Sequence, residues 1–127
     1  MAENKIEQFL IDLKYSYSEV KPNLWLLDDT EHGLEGIAIM YTDPLVVISI
    51  QVMDIPEKQR LEFFTKLLEL NANELVHGAY GLEGNKIVMI DTLQYETMDY
   101  EEFQAVLDAI SLAITQHYPV LSVYREK

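Results

Sequence analysis

The chain has 127 residues, about half of them hydrophobic and a quarter charged, which fits one folded domain over 1–127 and excludes a disordered segment. It contains no cysteine, so neither a disulfide framework nor a thiolate metal site can form. Nine basic residues stand against twenty-two acidic ones, a net charge of −13, and such a surface repels phosphate backbones and anionic lipid. No Lys or Arg occurs between Lys21 and Lys58, or between Lys86 and Arg125. The expectation is a protein that binds neither nucleic acid nor membrane. The acidic surplus suits a basic or neutral protein partner, or serves only to keep the chain soluble.

Met1 to Lys5 lacks the basic region and apolar core of a signal peptide. The longest apolar run, Leu45 to Ile50, is broken by Ser49 and is too short to span a bilayer. A cytoplasmic location is expected. Ile6, Phe9, Leu10 and Leu13 share one face at helical spacing, so Glu3 to Lys14 reads as an amphipathic helix. Pro22-Asn23 breaks it, and three strands follow over Leu24–Leu27, Gly36–Tyr41 and Leu45–Met53. The turn-rich stretches Asp28–Gly33 and Thr42–Pro44 connect them. Links this short imply an antiparallel meander, since parallel neighbours need long crossovers.

Asp54-Ile55-Pro56 reads as a helix start, with Pro56 in the first turn of a helix over 56–71. Leu61, Phe63, Phe64, Leu67, Leu68 and Leu70 spread over about half of its circumference, more than the roughly 100° stripe one contact needs. This helix is expected to pack against two things. Gly78–Glu83 and Lys86–Leu93 form a hairpin around Gly84-Asn85, a two-residue loop suited to positive φ. Asp99 and Glu102 have the spacing of a capping box. The helix stripe Phe103, Val106, Leu107, Ile110, Ala113 and Ile114 follows, with Pro119 as its stop. The order α-β-β-β-α-β-β-α is an α+β domain with helices packed on an antiparallel sheet.

No catalytic kit is legible. His32, His77 and His117 are far apart and none has metal-ligand spacing. His32 lies beside Asp28, Asp29 and Glu31, but this turn lacks the alternate-ligand register of a calcium loop. Near the C-terminus of the last helix, a protonated His117 would interact favourably with the helix dipole. His77 with Asp91 would serve a hydrolase only inside a deep polar pocket. Gly78, Gly81 and Gly84 sit in a hairpin rather than opening a helix, so they are turn residues and not a phosphate cradle. We expect no catalytic residues, no cofactor and no metal. Apolar groups are the better candidates: Trp25 and Leu27 alternate with Leu24 and Leu26, so that strand is apolar on both faces, and Met40 and Tyr41 repeat the pattern.

The segment Leu67-Leu68-Glu69-Leu70-Asn71, then Gly78-Ala79-Tyr80-Gly81-Leu82-Glu83, Ile87-Val88-Met89-Ile90 and the helix Phe103 to Ile114 resemble two related groups. These are the YbjN family and the class I type III secretion chaperones of the Tir-chaperone (CesT) type. His117-Tyr118-Pro119-Val120-Leu121 is similar to a YbjN tail. The resemblance implies a non-enzymatic, acidic homodimer that holds an extended segment of a client protein without ATP. On that reading Phe63, Leu67 and Leu70 face the second subunit, while Leu61, Phe64 and Leu68 serve the core. Phe9, Leu13, Trp25, Leu27 and Met40 would line the client groove, with the client's identity unspecified. A small regulatory or sensory module of YbjN type, binding a signalling partner or ligand, is the alternative.

Overall fold

Asn4 opens the first helix, α1 (Lys5–Leu13), by accepting from the N–H groups of Ile6 at 2.8 Å and Glu7 at 3.3 Å. These are two of the four donors that a helix start leaves unpaired. Lys14 closes the helix in the left-handed region at φ 62°. The structure, a computed structural model, describes residues 4–75 and 77–125, so the expected helix residue Glu3 lies outside the described residues.

Four strands, rather than three, precede the middle helix: β1 (Tyr17–Lys21), β2 (Leu24–Asp29), β3 (Leu34–Thr42) and β4 (Leu45–Asp54). Strand β1 carries a single aliphatic residue, Val20, and is mostly exposed, so it has no apolar alternation to announce it. After α2 (Arg60–Asn73) come β5 (Ala79–Glu83), β6 (Lys86–Gln94) and α3 (Tyr100–Leu121), which ends in a 3-10 turn at Ser122–Tyr124. The six strands lie in the order β1-β2-β3-β4-β6-β5, and every pair is antiparallel. The α+β architecture with helices on an antiparallel sheet is therefore present, with one more edge strand.

Register places the core. Trp25 lies opposite Ile39, which lies opposite Ile48; in the next row Leu27, Ile37, Ile50 and Met89 follow one another across four strands. Because side chains alternate with period two, these rows share one face of the sheet. Helices α1 and α3 cover that face. Phe9 of α1 meets the Phe103 ring at 5.5 Å, and Trp25 Nε1 donates to Glu7 Oε2 at 3.2 Å. Lys5 Nζ ties α1 to the β6–α3 loop by donating to the carbonyls of Tyr95, Glu96 and Met98.

Two helix boundaries differ from the sequence reading. Pro56 does not start α2; Asp54 ends β4, where it lies opposite Lys86 and pairs with it, so pairing holds the chain extended past the expected start. The helix begins only after Gln59 turns the chain at φ 59°, and Arg60 Nε donates back to the Pro56 carbonyl at 2.9 Å. Pro119 does not stop α3 but sits inside it, because buried Leu121 and Tyr124 draw the chain onward. A proline there removes one helical hydrogen bond, a loss that packing of the following turn offsets. The capping box at Asp99 and Glu102 is formed in both directions, at 2.8 and 3.1 Å.

His117 also departs from expectation. Its ring is buried, Nδ1 lies 2.7 Å from the Tyr80 hydroxyl, and desolvation pushes its pKa below the ordinary value. Burial likewise pushes the Tyr80 phenol up, so the joint between β5 and α3 holds both groups neutral. A neutral imidazole gains nothing from the helix dipole; its role is to satisfy a buried hydroxyl.

Two outcomes follow from this packing. Trp25, only 2% exposed, fills the space between α1 and the sheet, so Trp25→Ala is expected to destabilise the fold by about 3–5 kcal/mol in denaturant unfolding. The folded chain resists protonation of His117 whereas the unfolded chain takes up a proton near pH 6.5. Stability therefore falls as pH drops from about 7.5 to 5.5, and His117→Gln flattens that slope. The depressed Asp29 carboxyl acts only at lower pH, outside this window.

Candidate partner-binding surface

The two sides of α2 are the reverse of the sequence assignment. Phe63, Leu67 and Leu70 are buried within the single chain, whereas Leu61 and Leu68 are 84% and 66% exposed and Phe64 is partly buried. Two contacts set the rotation of the helix. The Phe63 ring packs on Tyr124 at 5.1 Å, and the Asn71 amide bonds twice to the backbone of Tyr80 on β5. Asn71 accepts from Tyr80 N–H at 2.8 Å and donates to its carbonyl at 3.2 Å, standing in for a neighbouring strand. The apolar arc is too even in sequence to reveal this phase; Asn71, a polar residue among leucines, is the signal that fixes it.

The expected client groove is likewise redistributed. Trp25 and Leu27 are core residues, while Phe9 and Leu13 pack against that core from α1. Alternation does put Leu24 and Leu26 on the other face, and the helices chose the face bearing Trp25. Met40 alone of the five is exposed, at 41%, on the opposite face of the sheet. The structure therefore does not bring these residues together on one free surface.

A different surface emerges from the other strand parity. Leu24 lies opposite Met40, and Met40 opposite Val47; Leu26, Ala38, Ser49 and Ile90 form the adjoining row. Val20, Met40 and Leu45 are well exposed here, and Leu24, Leu26, Val47 and Ile90 are partly so. A one-sided sheet normally alternates apolar and polar residues, so apolar rows on the second face make it a candidate contact surface. Within it is a depression of about 430 Å³ that includes Leu26, Ala38, Ser49 and Val88 and is bordered by Glu35 and Glu83. The sheet edges beside it differ: β5 has Asn71 bonded to it at Tyr80, whereas among the described residues β1 pairs with β2 alone.

The polar candidates form local contacts. Asp29 is buried and accepts from Ser16 N–H at 2.8 Å, which chiefly holds its carboxyl below the ordinary range, with His32 Nδ1 adding a contact at 2.9 Å. It caps the 3-10 turn Thr30–His32. His77 and Asp91 do come near one another, at 3.8 Å, but at the surface, where such a pair contributes little. Among the described residues no group of three or more His, Asp or Glu side chains could hold a metal ion, and no helix is long and apolar enough to cross a membrane.

These placements separate the two sides of α2 by experiment. Phe63→Ala is expected to cost about 3–5 kcal/mol, whereas Leu61→Ala changes the stability of the single chain by no more than about 0.5 kcal/mol. Urea unfolding of the two variants at low protein concentration measures the difference.

Comparison with known proteins agrees with this architecture. A chain of the heterodimeric ExoU–SpcU complex from the type III secretion system of Pseudomonas aeruginosa superposes with a TM-score of 0.74 at 13% identity, covering 93% of this chain and 98% of that one. YbjN from E. coli superposes with a TM-score of 0.65 at 18% identity, covering 91% and 90%. A chain of the HopA1–SchA chaperone–effector complex gives 0.62 at 8% identity, covering 88% of each chain. At such identities the likeness is one of fold. No curated protein matches the chain significantly in sequence. Residues 1–127 match the family described as CesT_Tir_1, and the chain belongs to that family.

Proposed function

We propose that this chain is a chaperone-like binding protein that holds an extended segment of a client protein and acts by binding rather than by catalysis. The observation that carries the reading is the helix-free face of the sheet, with its apolar rows Leu24–Met40–Val47 and Leu26–Ala38–Ser49–Ile90. An extended segment can pair with the outer edge of β1 and so continue the sheet. Its side chains on the helix-free face would then adjoin Ser18 and Lys21 of β1, with Leu24 and Leu26 one strand further in. Family membership supports the role, as does the occurrence of the same fold in complexes such as HopA1–SchA, described as chaperone with effector.

We further propose a homodimer, with the outward stripe of α2 as its contact. Leu61 and Leu68 are seven residues apart, two helical turns, with Phe64 between them. Large aliphatic side chains this exposed are costly to leave in water, by about 1.5–3 kcal/mol for each one fully buried. This contact replaces the one assigned from sequence to Phe63, Leu67 and Leu70, whose side chains the single chain already buries.

The binding face is tested with an extended peptide of alternating apolar and polar residues, read by fluorescence anisotropy. Met40→Asp with Val20→Asp is expected to weaken binding at least tenfold while the unfolding midpoint stays within a few degrees. Undiminished affinity in that variant would place the client elsewhere. For the dimer, light scattering at micromolar concentration should give the mass of two chains, and Leu61→Asp with Leu68→Asp should give one. A monomer in the unsubstituted protein removes the dimer.

A further inference from the structure

Sulfur in this chain is confined to methionine: there are five, and no cysteine. Met1 lies outside the described residues. Met53, Met89 and Met98 are core side chains, at 9%, 0% and 3% exposure, whereas Met40 is 41% exposed. Of the described methionines Met40 alone is accessible, and it stands within the helix-free face, opposite Leu24 on β2 and Val47 on β4. Its strand pairs on both sides, so the ladders take up the backbone N–H groups around it. The Leu24 and Val47 side chains offer no hydrogen-bond donor either. A soft, flexible thioether packs there against varied apolar side chains, and the same accessibility opens its sulfur to oxidants in solvent.

We propose that Met40 is an oxidation site through which a hydroperoxide turns off the holding of a client. The sulfur lone pair attacks one oxygen of hydrogen peroxide, and the S–O bond forms as the O–O bond breaks. Sulfur gives up two electrons, the peroxide is reduced, and the proton of the attacked oxygen leaves with the departing hydroxide as water. The product sulfoxide is polar and accepts hydrogen bonds. In the free chain water solvates it, so the fold keeps its stability. Beneath a bound segment its oxygen would lie beside Leu24 and Val47 with the hydrogen bond to water lost, a burial that opposes binding. Enzymatic reduction of the sulfoxide to the thioether reverses the effect. Burial of Met53, Met89 and Met98 confines the reaction to one described position. The inference rests on the proposed holding function of this face.

The folded full chain is treated with hydrogen peroxide, and the added oxygen is located by peptide mass spectrometry. After removal of the peroxide, binding of a methionine-free extended peptide of alternating apolar and polar residues is read by fluorescence anisotropy. Oxygen is expected on Met40 well before Met53, Met89 or Met98, with affinity falling about tenfold and the unfolding midpoint staying within a few degrees. Methionine sulfoxide reductase should restore the affinity. Met40→Leu, which keeps apolar bulk at this position, should bind like the unsubstituted chain and lose nothing on the same treatment. Undiminished affinity of the Met40 sulfoxide, earlier oxidation of a core methionine, unfolding on oxidation, or an equal loss in Met40→Leu overturns the inference while the holding function stands. Failure of the untreated chain to bind the peptide overturns both.

Discussion

Helices α1 and α3 of this protein cover one face of a single antiparallel sheet and α2 docks at its β5 edge, so the whole core depends on strand register. Trp25, Ile39 and Ile48 form one cross-strand row, and Leu27, Ile37, Ile50 and Met89 form the next. A slip of one residue in any strand would turn its contribution to the wrong face, which is why a half-covered sheet specifies register strongly. The helices are held to this face by separate devices. Lys5 anchors α1 to the β6–α3 loop, Asn71 anchors α2 to β5, and the Tyr80–His117 contact anchors β5 to α3. Each satisfies polar groups that burial would otherwise leave unpaired.

The cost of one-sided packing is a second face with no cover. In many sheets polar residues occupy such a face, but here Leu24, Leu26, Met40, Val47 and Ile90 do. The mixed pattern gives the protein two apolar exposures of different kinds. The sheet face is broad, has the edge strand β1 beside it and contains a depression bordered by carboxylates. The outer stripe of α2 is narrow and regular, with Leu61 and Leu68 two turns apart. Broad and adaptable suits an extended segment; narrow and regular suits a second copy of the same helix. The two proposed roles fall on different elements, so that on this proposal holding a segment would not disturb the pairing of subunits.

Much of this architecture is legible in the sequence, because it rests on local chemistry. The Gly84 turn, the Asp99–Glu102 capping box and the stripe of α3 need only their own residues to be recognised. What stayed hidden depends on tertiary contacts. Strand β1 is an edge with one aliphatic residue, so only its pairing with β2 makes it a strand. The phase of α2 is set by Tyr124, distant in sequence, and by the edge of β5, nine residues on from Asn71 but bonded to it only once the hairpin has formed. Trp25 and Leu26 sit on opposite faces of one strand, and which face is buried follows from where α1 lands. The same ambiguity explains why the candidate groove mixed core residues with the one exposed member, Met40. Alternation divides a strand into two faces without saying which is inside.

On the proposed function, a bound segment lies on the helix-free face rather than on the helical side. Methyl NMR of the intact protein, titrated with an extended peptide, tests this most directly. Shift changes are expected to concentrate in the methyl groups of Leu26, Met40, Val47 and Ile90, with those of Leu10, Leu107 and Ile110 in the core unmoved. Changes confined to α1 and α3, with the sheet-face methyl groups silent, would contradict it.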